Sequence, residues 1–128
     1  MRKEKDFLGE YEMDENTYHG IHTERALENF QVSYYKWQPI FIKSIAFVKK
    51  AAAMVNLELG FLDEKIGNAI VTACDYIIDG KYLDAFPLDP FQGGAGTSTN
   101  MNANEVIANI ALEILGEKKG NYELISPL

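Results

Sequence analysis

The sequence predicts a mainly helical domain, all-α in class, with room for a short strand near the N-terminus. Two observations carry this expectation. Apolar residues recur at steps of three and four over three long stretches, the spacing of one helix face. Residues that start and stop helices bracket those stretches.

Residues 1 to about 35 read as irregular and polar, with turn residues at Gly9, Asp14, Asn16 and Gly20. Leu8 to Met13 can hold a short strand, and Thr23 to Asn29 suits a short helix. The first long helix is expected from Pro39 to Leu59, where Phe41, Ile45, Val48, Ala52, Val55 and Leu59 share a face. Pro39 fits its first turn and Gly60 its exit. The second is expected from Asp63 to Asp79. Asp63 caps it, Ile66, Ile70, Ala73 and Ile77 form its stripe, and Gly80 stops it. Residues 80–96 lack helical spacing; Pro87, Pro90 and the aromatics Tyr76, Tyr82, Phe86 and Phe91 suggest a packed loop. The third helix is expected from Ser98 to Leu115, on Val106, Ile107, Ile110, Ala111 and Ile114, with Gly116 as its stop. A polar tail runs to Leu128, and no internal repeat is visible.

At 128 residues the chain fits one domain. Its formal net charge of −7 disfavours partners with phosphate backbones or anionic membrane surfaces, so no nucleic-acid or membrane partner is expected. No stretch reaches the length of a membrane span, and the charged start Met1-Arg-Lys-Glu-Lys-Asp6 has no apolar signal-peptide region. A cytoplasmic location is the default expectation. Cys74, the single cysteine, excludes an internal disulfide and sits in an apolar helical stretch as a small buried hydrophobe.

The run Gly93-Gly-Ala-Gly-Thr-Ser-Thr-Asn100 is the densest chemical signal. Gly93, Gly94 and Gly96 can take positive φ and let a ligand approach main-chain N–H groups. Thr97, Ser98, Thr99 and Asn100 follow as caps of the third helix or as ligand donors. A helix N-terminus carries unpaired donors and partial positive charge, which suits an anion. No Lys or Arg lies between Lys81 and Lys118, and the Gly-Lys-Ser/Thr ending of a phosphate loop is missing. A small carboxylate therefore fits better than a polyphosphate.

Asn100, Asn102, Asn104 and Asn109 are poor helix formers on the same helix. They read as a hydrogen-bonded polar seam, with partners from other subunits or ordered water, more readily than as substrate contacts. Glu105 belongs to that seam or caps the helix. His19 and His22 lack a clear third ligand, so no metal site is expected. Lys49 and Lys50 read as a solvated face, while Tyr34, Tyr35 and Trp37 read as anchors of the N-terminal segment on the first helix.

Gly93 to Asn109 resembles the first conserved segment of the aspartase/fumarase superfamily. Arg2 to Gly9, Tyr18 to Phe30, Lys49 to Ala53 and Phe86 to Asp89 follow in that family's order, so the resemblance spans essentially the whole chain. It implies the helical N-terminal domain of a lyase acting on a small-molecule substrate, with reversible deamination of L-aspartate to fumarate and ammonia and no cofactor. It implies that Thr97 holds a substrate carboxylate and that Arg25 supports the site, while Ser98, Thr99 and Asn100 line the pocket or merely satisfy helix N–H groups. It further implies a homotetramer in which each site draws on three subunits. The serine general base lies on a Gly-Ser-Ser loop that these 128 residues do not contain, nor do they contain the central helical bundle or the C-terminal domain. No catalytic residue is therefore expected in this chain, which by itself should be inactive. Further helices are expected to cover part of the stripe from Val106 to Ile114.

Gly94-Ala-Gly-Thr-Ser-Thr-Asn-Met-Asn102, His22 and Gln92 resemble the aspartase branch. The fumarase branch usually has Gly-Ser-Gly-Thr-Gln-Ser-Asn-Met-Asn. A fumarase, or a non-catalytic assembly module on the same helical frame, are the competing readings.

Overall fold

Local punctuation places the long helices close to where the periodicity does. The structure is a computed structural model that describes residues 1–128. Strands β1 (Arg2–Asp6) and β2 (Gly9–Met13) come first, then helices α1 (Ile21–Asn29), α2 (Pro39–Glu58), α3 (Glu64–Ile78) and α4 (Thr97–Ile114). A 3-10 turn at Leu83–Ala85 interrupts the α3–α4 connection. Pro39 opens α2, and the Asp63 side chain accepts from the Ile66 N–H at 3.0 Å to cap α3. Gly60, Gly80 and Gly116, the expected stops, all have positive φ.

The N-terminal 35 residues are more ordered than their composition suggests. β1 and β2 pair antiparallel, Arg2 opposite Met13 and Asp6 opposite Gly9. Periodicity missed β1 because its buried face is charged: Arg2 and Glu4 point inward, Lys3 and Lys5 outward. The buried guanidinium is fully engaged. It donates to Glu4 Oε1 at 2.8 Å and to the carbonyls of Thr17 and His19 at 2.7 and 2.8 Å.

α4 is the axis of the core. Twelve of its residues are buried, with α3 packed on one side and α1 on another. Val106, Ile107, Ile110 and Ala111 join Ala69, Ala73, Cys74 and Ile77 of α3 in one apolar cluster. The stripe left for further helices to cover is thus already covered here, apart from Ile114. Cys74 lies fully buried in that cluster, and burial pushes its thiol pKa up to about 12.

α2 corrects the periodicity in the opposite sense. It buries Ile42, Ala46 and Ala53, while Val48, Val55 and Leu59 of the expected stripe are more than half exposed. The helix is apolar around most of its circumference, so spacing alone could not select the inward face. α2 packs on α3, where Gly67 leaves room for the Leu57 side chain.

Of the expected polar seam of α4, Asn102, Glu105 and Asn109 are buried and find partners within this chain, whereas Asn100 is exposed and Asn104 is only partly buried. Asn102 donates to the Ala85 carbonyl at 3.0 Å. Asn109 donates to the Tyr18 carbonyl at 2.7 Å and accepts from the Gly120 N–H at 2.8 Å. Glu105 caps α1. No other subunit or water is needed to satisfy these groups.

Candidate functional site

The loop into α4 is built by a chain of small locks. The buried Asp89 side chain accepts from the backbone N–H groups of Val32, Ser33 and Phe91 and from the Ser33 hydroxyl. Burial by itself would raise this carboxyl. The donors from Phe91, Ser33 and Val32 outweigh it and hold the group below the usual carboxylate value. The segment before α2 is thereby stitched to the loop before α4.

Gln92 continues the chain. Its Nε2 donates to the Asp89 carbonyl at 2.9 Å. Its Oε1 accepts from the Thr99 N–H at 3.0 Å and from the Thr99 hydroxyl at 2.9 Å. Trp37, stacked on Phe41 at 4.2 Å, donates its indole N–H to Thr99 Oγ1 at 3.0 Å. Trp37 is the anchor that the sequence suggested; Tyr34 and Tyr35 are exposed instead.

Between Gln92 and Thr99 the chain turns through its glycines. Gly94 and Gly96 adopt φ of 77° and 84°, conformations open to glycine at little cost. Gly93 does not take positive φ; a side chain there would press on the Phe30 ring. Gly96 is the N-cap of α4 and offers no side chain, so none of the expected hydroxyl caps forms. The Gln92 amide caps the third N–H from outside the helix. The N–H groups of Thr97 and Ser98 make no backbone or side-chain hydrogen bond within the chain, and neither do their hydroxyls. Four unpaired donors therefore stand at the positive end of an 18-residue helix, those of Thr97 on an exposed residue beside an exposed glycine loop and those of Ser98 on a buried one. This arrangement can hold one carboxylate.

The other three named residues are engaged elsewhere in the chain. Thr99 is held between Gln92 and Trp37. Asn100 Oδ1 accepts from Lys49 Nζ at 2.6 Å. Arg25 forms a two-pronged pair with Asp6 at 2.6 and 2.8 Å and faces the hairpin, and no bond links it to the first turn of α4. Lys49 is therefore not a solvated mid-helix cation: half-burial lowers its pKa, and its ammonium reaches the α4 N-terminus from another helix. Lys50 pairs with Asp75 of α3 at 2.7 Å. His19 pairs with Glu24 at 2.6 Å, and His22 carries a buried Nδ1 without a partner.

Sequence reasoning missed Gln92 as the cap and Lys49 as a neighbour of Asn100. Neither has a local signature, because one caps from seven residues upstream and the other from a different helix. At the surface, Thr97 and residues 93–95 are exposed, whereas Ser98 is 8% exposed and belongs to the buried residues of α4.

Comparison with known proteins gives a consistent picture. A family profile described as lyase matches residues 9–125. The chain is 58% identical to the aspartate ammonia-lyase of Bacillus sp over 99% of its own length and 27% of that protein's. It is 49% identical to the aspartate ammonia-lyase of Escherichia coli K12, again over 99% of this chain and 27% of the relative. The chain thus spans about a quarter of the length of the curated relatives it matches. Among solved structures, a fumarate lyase:delta crystallin from Brucella melitensis superposes with a TM-score of 0.96 at 52% identity, over 99% of this chain and 29% of that one. A class II fumarase from Schistosoma mansoni superposes with a TM-score of 0.87 at 36% identity, over 94% of this chain and 26% of that one.

Proposed function

The chain belongs to the lyase family, and we propose that it is the N-terminal part of an enzyme that reversibly deaminates L-aspartate to fumarate and ammonia. The observation that carries this reading is the pair Thr97 and Ser98, whose hydroxyls and N–H groups stand free at the start of α4. These donors hold one substrate carboxylate. Thr99, Asn100 and Arg25 serve the site by pinning α4, its neighbour helix and the N-terminal hairpin.

Removing a proton from the carbon next to that carboxylate drives negative charge onto its oxygens. Donors already aimed at those oxygens stabilise the charge as it develops, without reorganising at the moment of reaction. The amine then leaves from the adjacent carbon. The proton-abstracting serine and the remaining pocket walls come from segments outside these 128 residues, in a cytoplasmic homotetramer. No cofactor takes part. The exposure of Thr97 fits a site completed by other segments.

The aspartase branch is favoured over fumarase by Ala95, Ser98 and His22, and by identities of 49–58% to aspartate ammonia-lyases against 36% to the fumarase structure. The test is a chimera in which residues 1–128 replace the matching segment of the Bacillus enzyme. It should assemble and form fumarate from aspartate, followed by ultraviolet absorbance, while the isolated chain forms none. A well-assembled chimera with no turnover refutes the lyase reading. One that prefers malate moves the chain to the fumarase branch.

A further inference from the structure

We propose that Gln92 is a positioning residue for the carboxylate site, an external cap whose task is to keep Thr97 and Ser98 unoccupied. This deepens the functional reading above and rests on it. Helices usually satisfy their first N–H groups with a Ser, Thr, Asp or Asn side chain at the N-cap. Here three hydroxyl residues stand in the first turn of α4, yet none is used that way, because the N-cap is Gly96. Gln92 supplies the missing acceptor from outside. One amide oxygen takes both the N–H and the hydroxyl of Thr99, and the amide nitrogen is held on the Asp89 carbonyl.

Two consequences follow from that geometry. Thr99, the hydroxyl residue nearest Thr97 and Ser98 along the turn, is locked by three bonds to Gln92 and Trp37 and cannot compete for the ligand. The Gly93–Gly96 turn is also bridged at its base by the Gln92 side chain. A loop with three glycines in four residues loses much conformational freedom on ordering. Pinning both ends holds the turn that carries the unpaired donors of Thr97 and Ser98 in one conformation, the support that a ligand site needs from its surrounding residues. Gln92 itself touches no substrate in this scheme.

The experiment uses two variants. Gln92→Met keeps the volume and removes all three hydrogen bonds of the amide; Gln92→Glu keeps an acceptor for Thr99. In the 128-residue chain, amide exchange should show the Thr99 N–H protected in the parent and in Gln92→Glu, and exposed in Gln92→Met. Unchanged Thr99 protection in Gln92→Met overturns the capping role. In the chimeric lyase, Gln92→Met should raise KM for aspartate about tenfold, the scale typical of residues that orient a site from behind, with a smaller fall in kcat. A lower melting temperature with unchanged KM overturns the positioning role and leaves Gln92 as structure alone. A parent chimera without turnover refutes the lyase reading itself, and the exchange data still decide the cap.

Discussion

Thr23 and Glu105 tie the first turn of α1 to the middle of α4. Glu105 Oε1 accepts from the Thr23 N–H at 3.0 Å and from its hydroxyl at 2.6 Å, while Oε2 accepts from the His22 N–H at 3.0 Å. Glu4 Oε2 takes the remaining early donor, Ile21 N–H, at 2.8 Å. Two buried carboxylates from distant parts of the chain therefore cap one short helix. Gly20 makes this possible, since a Cβ there would overlap the Glu105 carboxylate and the Tyr122 hydroxyl.

Glu105→Ala should destabilise the chain by about 3 kcal/mol, because it leaves two buried N–H groups and one hydroxyl without their acceptor. Glu105→Gln keeps an acceptor and should cost less. Burial raises the Glu105 carboxyl above its ordinary value of 4.5 despite its hydrogen bonds. A raised carboxylate pKa means that the folded state binds the proton more tightly. Its stabilising contribution is greatest below 4.5 and declines as pH rises through the folded value. The melting-temperature gap between parent and Glu105→Gln should therefore shrink from acid to neutral pH; a gap that widens refutes this account.

Asp89 should behave in the opposite way. Its pKa is held below 3.8 by the donors from Phe91, Ser33 and Val32, so its contribution is present above that value and lost as pH falls through the folded pKa. Asp89→Asn should lower the melting temperature at neutral pH and converge with the parent in acid. Thermal melts of both proteins across pH measure this, and a pH-independent difference contradicts it.

In the chimeric lyase, Thr97→Val preserves shape and removes a hydroxyl that has no partner in this chain. Losing one charge-assisted hydrogen bond to the substrate should lower kcat/KM by about ten- to a hundredfold, shared between kcat and KM. The melting temperature should hardly move, because Thr97 caps nothing. Normal kinetics with reduced stability would return Thr97 to a purely structural role.

The isolated chain should self-associate through α2, where Ile40, Phe47, Val48, Met54 and Val55 are all at least half exposed. Val48→Lys with Val55→Lys should shift the oligomer towards monomer in light scattering. A parent chain that stays monomeric at high concentration is incompatible with this expectation.

The local code of the sequence determined the helices. Pro39, Gly60, Asp63, Gly80 and Gly116 act within a turn or two of themselves, and apolar spacing needs no distant partner. The glycine–hydroxyl run before α4 was equally legible, as was the order of segments that places the chain in its family. Tertiary structure alone decided which face each helix buries and which donors stay free. β1 was hidden because its inward residues, Arg2 and Glu4, are charged and become tolerable only through Thr17, His19, Tyr122 and the start of α1. α2 was apolar on too many sides for spacing to choose, and packing against α3 and α4 made the choice. At α4, four residues of similar capping chemistry stand in sequence, yet only Thr97, which is exposed, and Ser98, which is buried, keep their donors unpaired. Gln92, Trp37 and Lys49 engage the other two, and that division depends on side chains brought together by the fold rather than by spacing along the chain.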